Sequence, residues 1–567
     1  PTYVAWLVIA VSLYFSGCRQ QARIATAKSE ADQRSAAMSE QNHIRAALDF
    51  LKEFDRYQQP TTLGRVLHHL RKWTEDKLPD SDWIADPMFG RLPDRLGISK
   101  NPAQLARIDF DPQDVAMLRE TMWIRDLAKR IARDPRLDPE WSVWLPTQTE
   151  LDATAAQDLE SFLAVCDWIV RNIQIEPLEI EAPPNVNTEA SRPRPGVRRT
   201  AWEALLTGRG DAICRGRLIA LVCRQLDIPV VALAEDSADE PPPWCVAALI
   251  ADRLYLYDPA WALPIPGPDG QGIATLEQVV TDPQILRQLD VSDELKYPLG
   301  SVELASQVAL VDATPQYLSQ RMRLLELALP STDKTILTCA PSALRQRLEG
   351  HRGIGRVAIW TQPYDVDRFR ATDLANYPQL AEELSRDMSP LQPPWPLSFA
   401  RGQHIRGIFD DPEYQEGARQ LYLKCRLSDA QIDGINTAED LQQLLDSLLG
   451  AGNPVPEDAA IVRQILQATR NILLTTRSAA SWGLGQIAFE SGEFQVAIDY
   501  FDKRLLSFDT DTTWHTGSLY NLGRAYEALG RTAGQADALR RAREYYLRES
   551  TSPQGPGNQI RARRLPS

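Results

Sequence analysis

The sequence predicts an α+β multidomain protein, and three observations carry that expectation. At 567 residues the chain is about four times a typical 150-residue domain. A strong helix followed by three short β-like runs marks its middle, an order that belongs to α+β folds rather than to alternating α/β units. The last third reads as helix throughout. Apolar residues at 43% and charged residues at 24% are ordinary for folded protein. A net charge of −14, from 62 basic and 76 acidic side chains, argues against a chain that wraps nucleic acid. Seven cysteines without a C-x-x-C pair predict neither a disulfide scaffold nor a structural zinc site. No cofactor and no metal are expected.

In chain order, Val4 to Phe15 is an apolar run too short for a spanning helix of roughly 20 residues but suited to a signal-peptide core. Phe15-Ser16-Gly17-Cys18 follows and resembles the lipobox of bacterial lipoproteins. That resemblance implies a signal peptide over 1–18, lipid on Cys18 and attachment to a membrane. A cleaved soluble signal and an uncleaved anchor are the alternatives. Arg19 is not the aspartate that retains many such lipoproteins at the inner membrane, so the expectation is a periplasm-facing protein of the outer membrane.

Residues 19–150 are expected to form a polar tether and a helical region, with helical spacing over Ala46–Trp73 and Asp114–Ala132. His68 and His69 fall in the first of these and read as packing or surface histidines, since no acidic or cysteine partner stands at ligand spacing. Over 151–290, Leu159, Phe162, Leu163, Cys166, Val170 and Ile173 mark one helix face. A proline-rich loop, Glu181–Arg199, then leads to a helix at Leu218–Leu226 and to runs at Val230–Ala234, Val246–Ile250 and Leu254–Tyr257. Residues 291–395 are expected to form a small α/β part with strands Thr335–Thr338 and Arg356–Trp360. Residues 396–567 are expected to form an all-α domain with a basic tail.

Gly210-Asp211-Ala212-Ile213-Cys214, the helix after it, Ile228-Pro229, the strands and Asp258-Pro259 resemble the transglutaminase-like (papain-like) superfamily over roughly 155–290. The resemblance implies a cysteine at a helix start, a histidine on the next strand and an aspartate at the end of the one after. A helix N-terminus lowers the thiol pKa, histidine takes its proton, and aspartate orients histidine. Here the nucleophile position falls on Ala212 and the base position at or beside Pro243, where neither proline nor Trp244 can act as a base. No histidine lies between His69 and His351. Asp258 alone matches, and it also reads as a strand-end turn residue. Cys214 is the alternative nucleophile, turned about 200° from Ala212 on a helix. The expectation is a pseudoenzyme; the alternative is a cysteine protease or amidase with a rearranged site.

Leu484, Gly485, Ala488, Ala497 and Phe501 resemble a tetratricopeptide repeat, and Leu522, Gly523 and Tyr526 begin a second set 38 residues later, against a usual period of about 34. The resemblance implies a concave groove that takes a protein or peptide partner. Trp482, Gln486 and Phe489 would face it from the first repeat and Tyr520, Arg524 and Glu527 from the second. The same aromatics could instead cover a neighbouring helix. From Arg531 onward eight arginines face three acids, which predicts a solvated helix face and a loose end or attraction to an acidic partner.

Overall fold

The computed structural model describes residues 42–566 except 53–58, 93–99, 136, 181–192, 238–241, 301–303, 393–395, 414, 450–454, 456–457 and 508–511. The signal-like run with Ser16, Gly17 and Cys18, and the tether to residue 41, lie outside the described residues. The chain divides into two compact units, one of Pro1–Ser81 with Ile108–Ala116 and one of Asp82–Arg107 with Met117–Ser567. The fold is α+β.

In the first unit, helix α1 (42–52) buries Ile44, Ala47, Leu48 and Leu51, and helix α2 (Gln59–Thr74) buries Val66, Leu67, Leu70 and Trp73. Both sets recur at three- and four-residue steps, which puts each on one helix face. His69 stacks on Phe50 and lies 3.1 Å from His43, Nδ1 to Nδ1. Burial and the neighbouring histidines lower its pKa. It packs as the sequence suggests.

The second unit is built on a six-stranded sheet. Its strands are β1 (Val230–Glu235), β2 (Cys245–Ile250), β3 (Arg253–Asp258), β4 (Leu263–Pro264), β5 (Gln307–Val311) and β6 (Ile354–Ile359). They lie in the order β6-β5-β1-β2-β3-β4, antiparallel except for the parallel pair β5–β6. Val231, Leu233, Ala247, Leu249, Leu256, Ala309 and Val311 point into one large apolar core. The opposite face, with Ala232, Ala234, Val246 and Ala248, is covered by helices α3 (Ala153–Asn172) and α4 (Ala212–Arg224). With both faces covered, β1 and β2 are nearly continuous apolar runs, which is why they are legible from sequence. Gly216 lets α4 sit close to the sheet, since a Cβ there would be 3.1 Å from Val246.

The strands of the expected 151–290 domain and of the expected 291–395 part thus share one sheet, so these segments form one body. Thr335–Thr338 is not a strand. Its backbone is held by side chains instead: Ile336 N donates to Gln225 Oε1 at 3.0 Å and Leu337 N to Glu326 Oε2 at 2.6 Å. The place in the sheet goes to Gln307–Val311, which the sequence reading passed over.

The C-terminal part contains helix α5 (Ala459–Glu490), helix α6 (Phe494–Asp499) running on as a π-helical turn over Tyr500–Leu506, and helices α7 (His515–Ala533), α8 (Ala536–Arg548) and α9 (Gly555–Arg563). A Cβ on Gly485 would be 2.7 Å from the Phe501 ring, and one on Gly523 would be 2.4 Å from the Tyr546 ring. In each hairpin glycine therefore makes room for an aromatic of the following helix.

Candidate functional site

The start of α4 decides whether the middle of the chain can carry thiol chemistry. A short parallel ladder, Gln174–Ile175 with Arg209–Gly210, fixes the approach to this helix. Asp211 then caps it, Oδ1 accepting the amide of Cys214 at 2.7 Å. Ala212 is the first helical residue, half-buried and without a reactive group. Cys214 points away, against Gly210, with Sγ 3.9 Å from the carbonyl of Thr200. It is 1% exposed. Burial, with the Asp211 charge adding to it, pushes the thiol well above its ordinary pKa, the reverse of what a nucleophile needs.

Pro243 stands just before β2, half-buried, where a base would be required. Asp258 ends β3 with both carboxylate oxygens engaged. Its Oδ1 accepts the amides of Ala260 at 2.7 Å and Trp261 at 3.0 Å, and its Oδ2 accepts the Tyr297 hydroxyl at 2.9 Å. Burial pushes its carboxyl up to about 6. This is the turn role.

A cavity of about 480 Å³ opens at the N-terminal end of α4. Ala234, Val308, Leu310 and Ala358 form an apolar wall from three neighbouring strands, and Ile213 and Pro243 also line it. Neither Cys214 nor Asp258 does. Asp211 and Gln362 are buried polar residues on its lining, and Asp211 Oδ2, closed off from water, has no hydrogen-bond partner among the described residues. Burial pushes this carboxyl up to about 6, a rise that the bond from the Cys214 amide and the nearby Arg198 charge only partly offset. Arg198 lines the same cavity, its guanidinium 5.9 Å above the Phe369 ring and its Nε likewise without a partner. Sequence reasoning quoted Asp211 only as part of a motif and missed Arg198; the signal for the first was an aspartate directly before a helix.

The six positions expected to line an open groove are all buried against the rest of this chain. Trp482 stacks on Trp514 with ring centroids 4.7 Å apart. Gln486 donates to the Arg171 carbonyl at 2.8 Å, and Phe489 lies under the Arg171 guanidinium at 4.4 Å. Arg524 bridges Asp138 at 2.7 Å and Asp167 at 2.5 Å and donates to the Tyr520 hydroxyl at 3.2 Å. Glu527 accepts from Arg561 at 2.9 Å, Arg531 at 2.8 Å and the Tyr546 hydroxyl at 2.7 Å. The expected peptide groove is therefore filled from within. Asp167, Arg171 and Asn172, at the end of α3, supply the polar complement. The basic tail divides: Arg540, Arg541 and Arg548 lie on an exposed face of α8, whereas the expected loose end is helix α9, where Arg561 also pairs with Asp138 and Arg563 donates to the Asp290 carbonyl at 2.8 Å.

Among the described residues no three His, Cys, Asp or Glu side chains gather as a metal site, and no helix is long and apolar enough to cross a membrane. Comparison with protein-family models, with curated proteins and with solved structures finds no match.

Proposed function

We propose that this chain is a non-catalytic binding and scaffolding protein of the cell envelope, tethered through lipid on Cys18, with an inactive transglutaminase-like core braced by tetratricopeptide-like helices. One observation carries the reading. At the helix start where a nucleophile would stand, the nearest thiol is buried, turned into the protein and raised in pKa, with a proline at the base position. General-base activation needs both groups within hydrogen-bond reach. The cavity beside them has the size and apolar lining of a small-molecule site, about 300–1,000 Å³. With the repeat-like concave side filled by α3, binding belongs to this cavity, and the C-terminal helices hold the core together.

The reading is tested by thiol labelling. A fluorescent iodoacetamide should leave Cys214 unmodified in the native chain near neutral pH, and Cys214→Ser should change neither peptide hydrolysis nor acyl transfer. Rapid labelling of Cys214 together with an activity lost in Cys214→Ser would restore the cysteine-hydrolase reading. Anchoring is tested separately by detergent partition. Cys18→Ala should move the exported chain from the membrane to the aqueous fraction, and an unchanged membrane fraction would refute lipidation.

A further inference from the structure

We propose that the cavity at the start of α4 binds a small monocarboxylate with an apolar body, its carboxylate held by the outer nitrogens of Arg198 and by the Gln362 amide. The inference deepens the binding reading above and rests on it. Gln362 opens the helix Gln362–Asn376 and is only 8% exposed. It lines the cavity, and its side-chain amide neither has a hydrogen-bond partner among the described residues nor is closed off from water. Buried amides are nearly always bonded, so an open one on a cavity of about 480 Å³ is a feature to be explained. Arg198 also lines the cavity. Its Nε is closed off, but Nη1 and Nη2 are not, and neither has a partner among the described residues. Two helices begin at this cavity, α4 and Gln362–Asn376, and the second has no side-chain cap. Both bring the partial positive charge of a helix start.

The charges on the lining choose the ligand. Five charged side chains border the cavity: Arg91, Arg198, Arg356, Asp211 and Asp365. Asp236 engages Arg356 at 2.5 Å and Arg368 engages Asp365 at 3.3 Å, so both are answered from outside. Asp211, at about 6, is ionised at neutral pH. Its Oδ1 takes the Cys214 amide and its Oδ2 is closed off, so it adds charge to the site but offers no acceptor. Set against Arg91 and Arg198, it leaves one positive charge over. A monocarboxylate cancels that excess. A dianion would reverse it, an ammonium would double it, and a zwitterion would leave it in place. Arg91 is exposed and screened by solvent, so Arg198 makes the contact. A planar carboxylate suits the paired N–H groups of a guanidinium. Ala234, Val308, Leu310 and Ala358 offer apolar surface to an aliphatic or aromatic body.

Titration calorimetry on the full chain tests this with 4-phenylbutyrate. The controls are 4-phenylbutanamide, which lacks the charge, 4-phenylbutylamine, which reverses it, and acetate, which lacks the body. Saturable 1:1 binding of the acid is expected. The amide and acetate should each be weaker by about 10- to 100-fold, the effect of losing a charged hydrogen bond or the burial of a ring, and the amine weaker than the amide. Arg198→Gln should abolish the preference for acid over amide, and Arg198→Lys should keep part of it. Equal affinity for acid and amide in the unmodified chain would overturn the carboxylate assignment while leaving the cavity its binding role. No saturable heat from any of the four up to about 10 mM would overturn both. NMR of the recovered acid separates the site from the non-catalytic reading. Unchanged acid supports both, and chemically altered acid would overturn the non-catalytic reading while leaving the site in place.

Discussion

Among the places where charge is buried in the second unit, two are built on opposite terms. Along the seam between α3 and the C-terminal helices, Asp138, Asp167 and Glu527 are met by Arg524, Arg531 and Arg561. Burial alone would raise the Asp138 carboxyl, but Arg524 and Arg561 overcome it and hold the group well below the ordinary carboxylate range. At the start of α4, burial wins and Asp211 is pushed up to about 6. Unpartnered atoms occur in both places. In the seam, Arg171 and Asn521 border a void of about 10 Å³, room for roughly one water. Asp211 and Arg198 border a space of about 480 Å³. A buried charge is therefore no sign of function by itself.

Breaking the seam should have the largest effect. Arg524→Met leaves Asp138 and Asp167 buried beside each other without their shared counter-charge, and should cost about 3–5 kcal/mol of stability in denaturant unfolding. Adding Asp167→Leu should recover part of the loss, the non-additivity of groups in one network. If Arg524→Met melted like the unmodified chain, the seam would be ornamental and the contrast would fall. A smaller effect is expected from Gly523→Ala, whose new Cβ would stand 2.4 Å from the Tyr546 ring, and which should cost about 1–3 kcal/mol by overpacking.

The smallest effect sharpens the contrast by its sign. Asp211 rises from 3.8 to about 6 on folding. Its contribution is therefore fully present below pH 3.8 and is lost as pH rises through 6. Relative to Asp211→Asn, the unmodified chain should become less stable between pH 4 and 7, by on the order of 1 kcal/mol. Glu176 runs the other way. Burial would raise it, but Arg209 and Arg199 hold it at about 2, so its contribution is present above pH 4.5 and lost as pH falls through 2. Unfolding curves of Asp211→Asn and Glu176→Gln across pH 3 to 7 should diverge in opposite directions from the unmodified chain; parallel curves would contradict the distinction.

These two regions also differ in how far they can be read from sequence. Val230–Ala234, Val246–Ile250 and Leu254–Tyr257 are legible because both sheet faces are covered and no polar residue interrupts them. Gly485 with Phe501 is legible because a tight helix pair needs a gap opposite a ring. Thr335–Thr338 misleads because β-branched residues suit an extended backbone whether a strand or side chains satisfy it. The seam is hidden for another reason. Trp482, Phe489 and Tyr520 are large enough for a groove or a core, and only Asp167, Arg171 and Asn172, polar residues in the apolar second half of α3, hint at which. Their partners lie more than 300 residues away, where no local pattern reaches. Arg198 sits near the end of the proline-rich loop Glu181–Arg199, with nothing periodic around it.

The pairing of Arg561 with Asp138 spans 423 residues of chain. At a synthesis rate of about 5–20 residues per second, Asp138 has left the ribosomal active site roughly 20–85 s before its second arginine is made. Through that interval its burial is uncompensated, so the surrounding helices gain by staying open. Helix α9 then acts as a clasp, since Asp138 is fully answered only once Arg561 has been made. A chain stalled before Arg561 would display its unfinished seam to any protease that meets it.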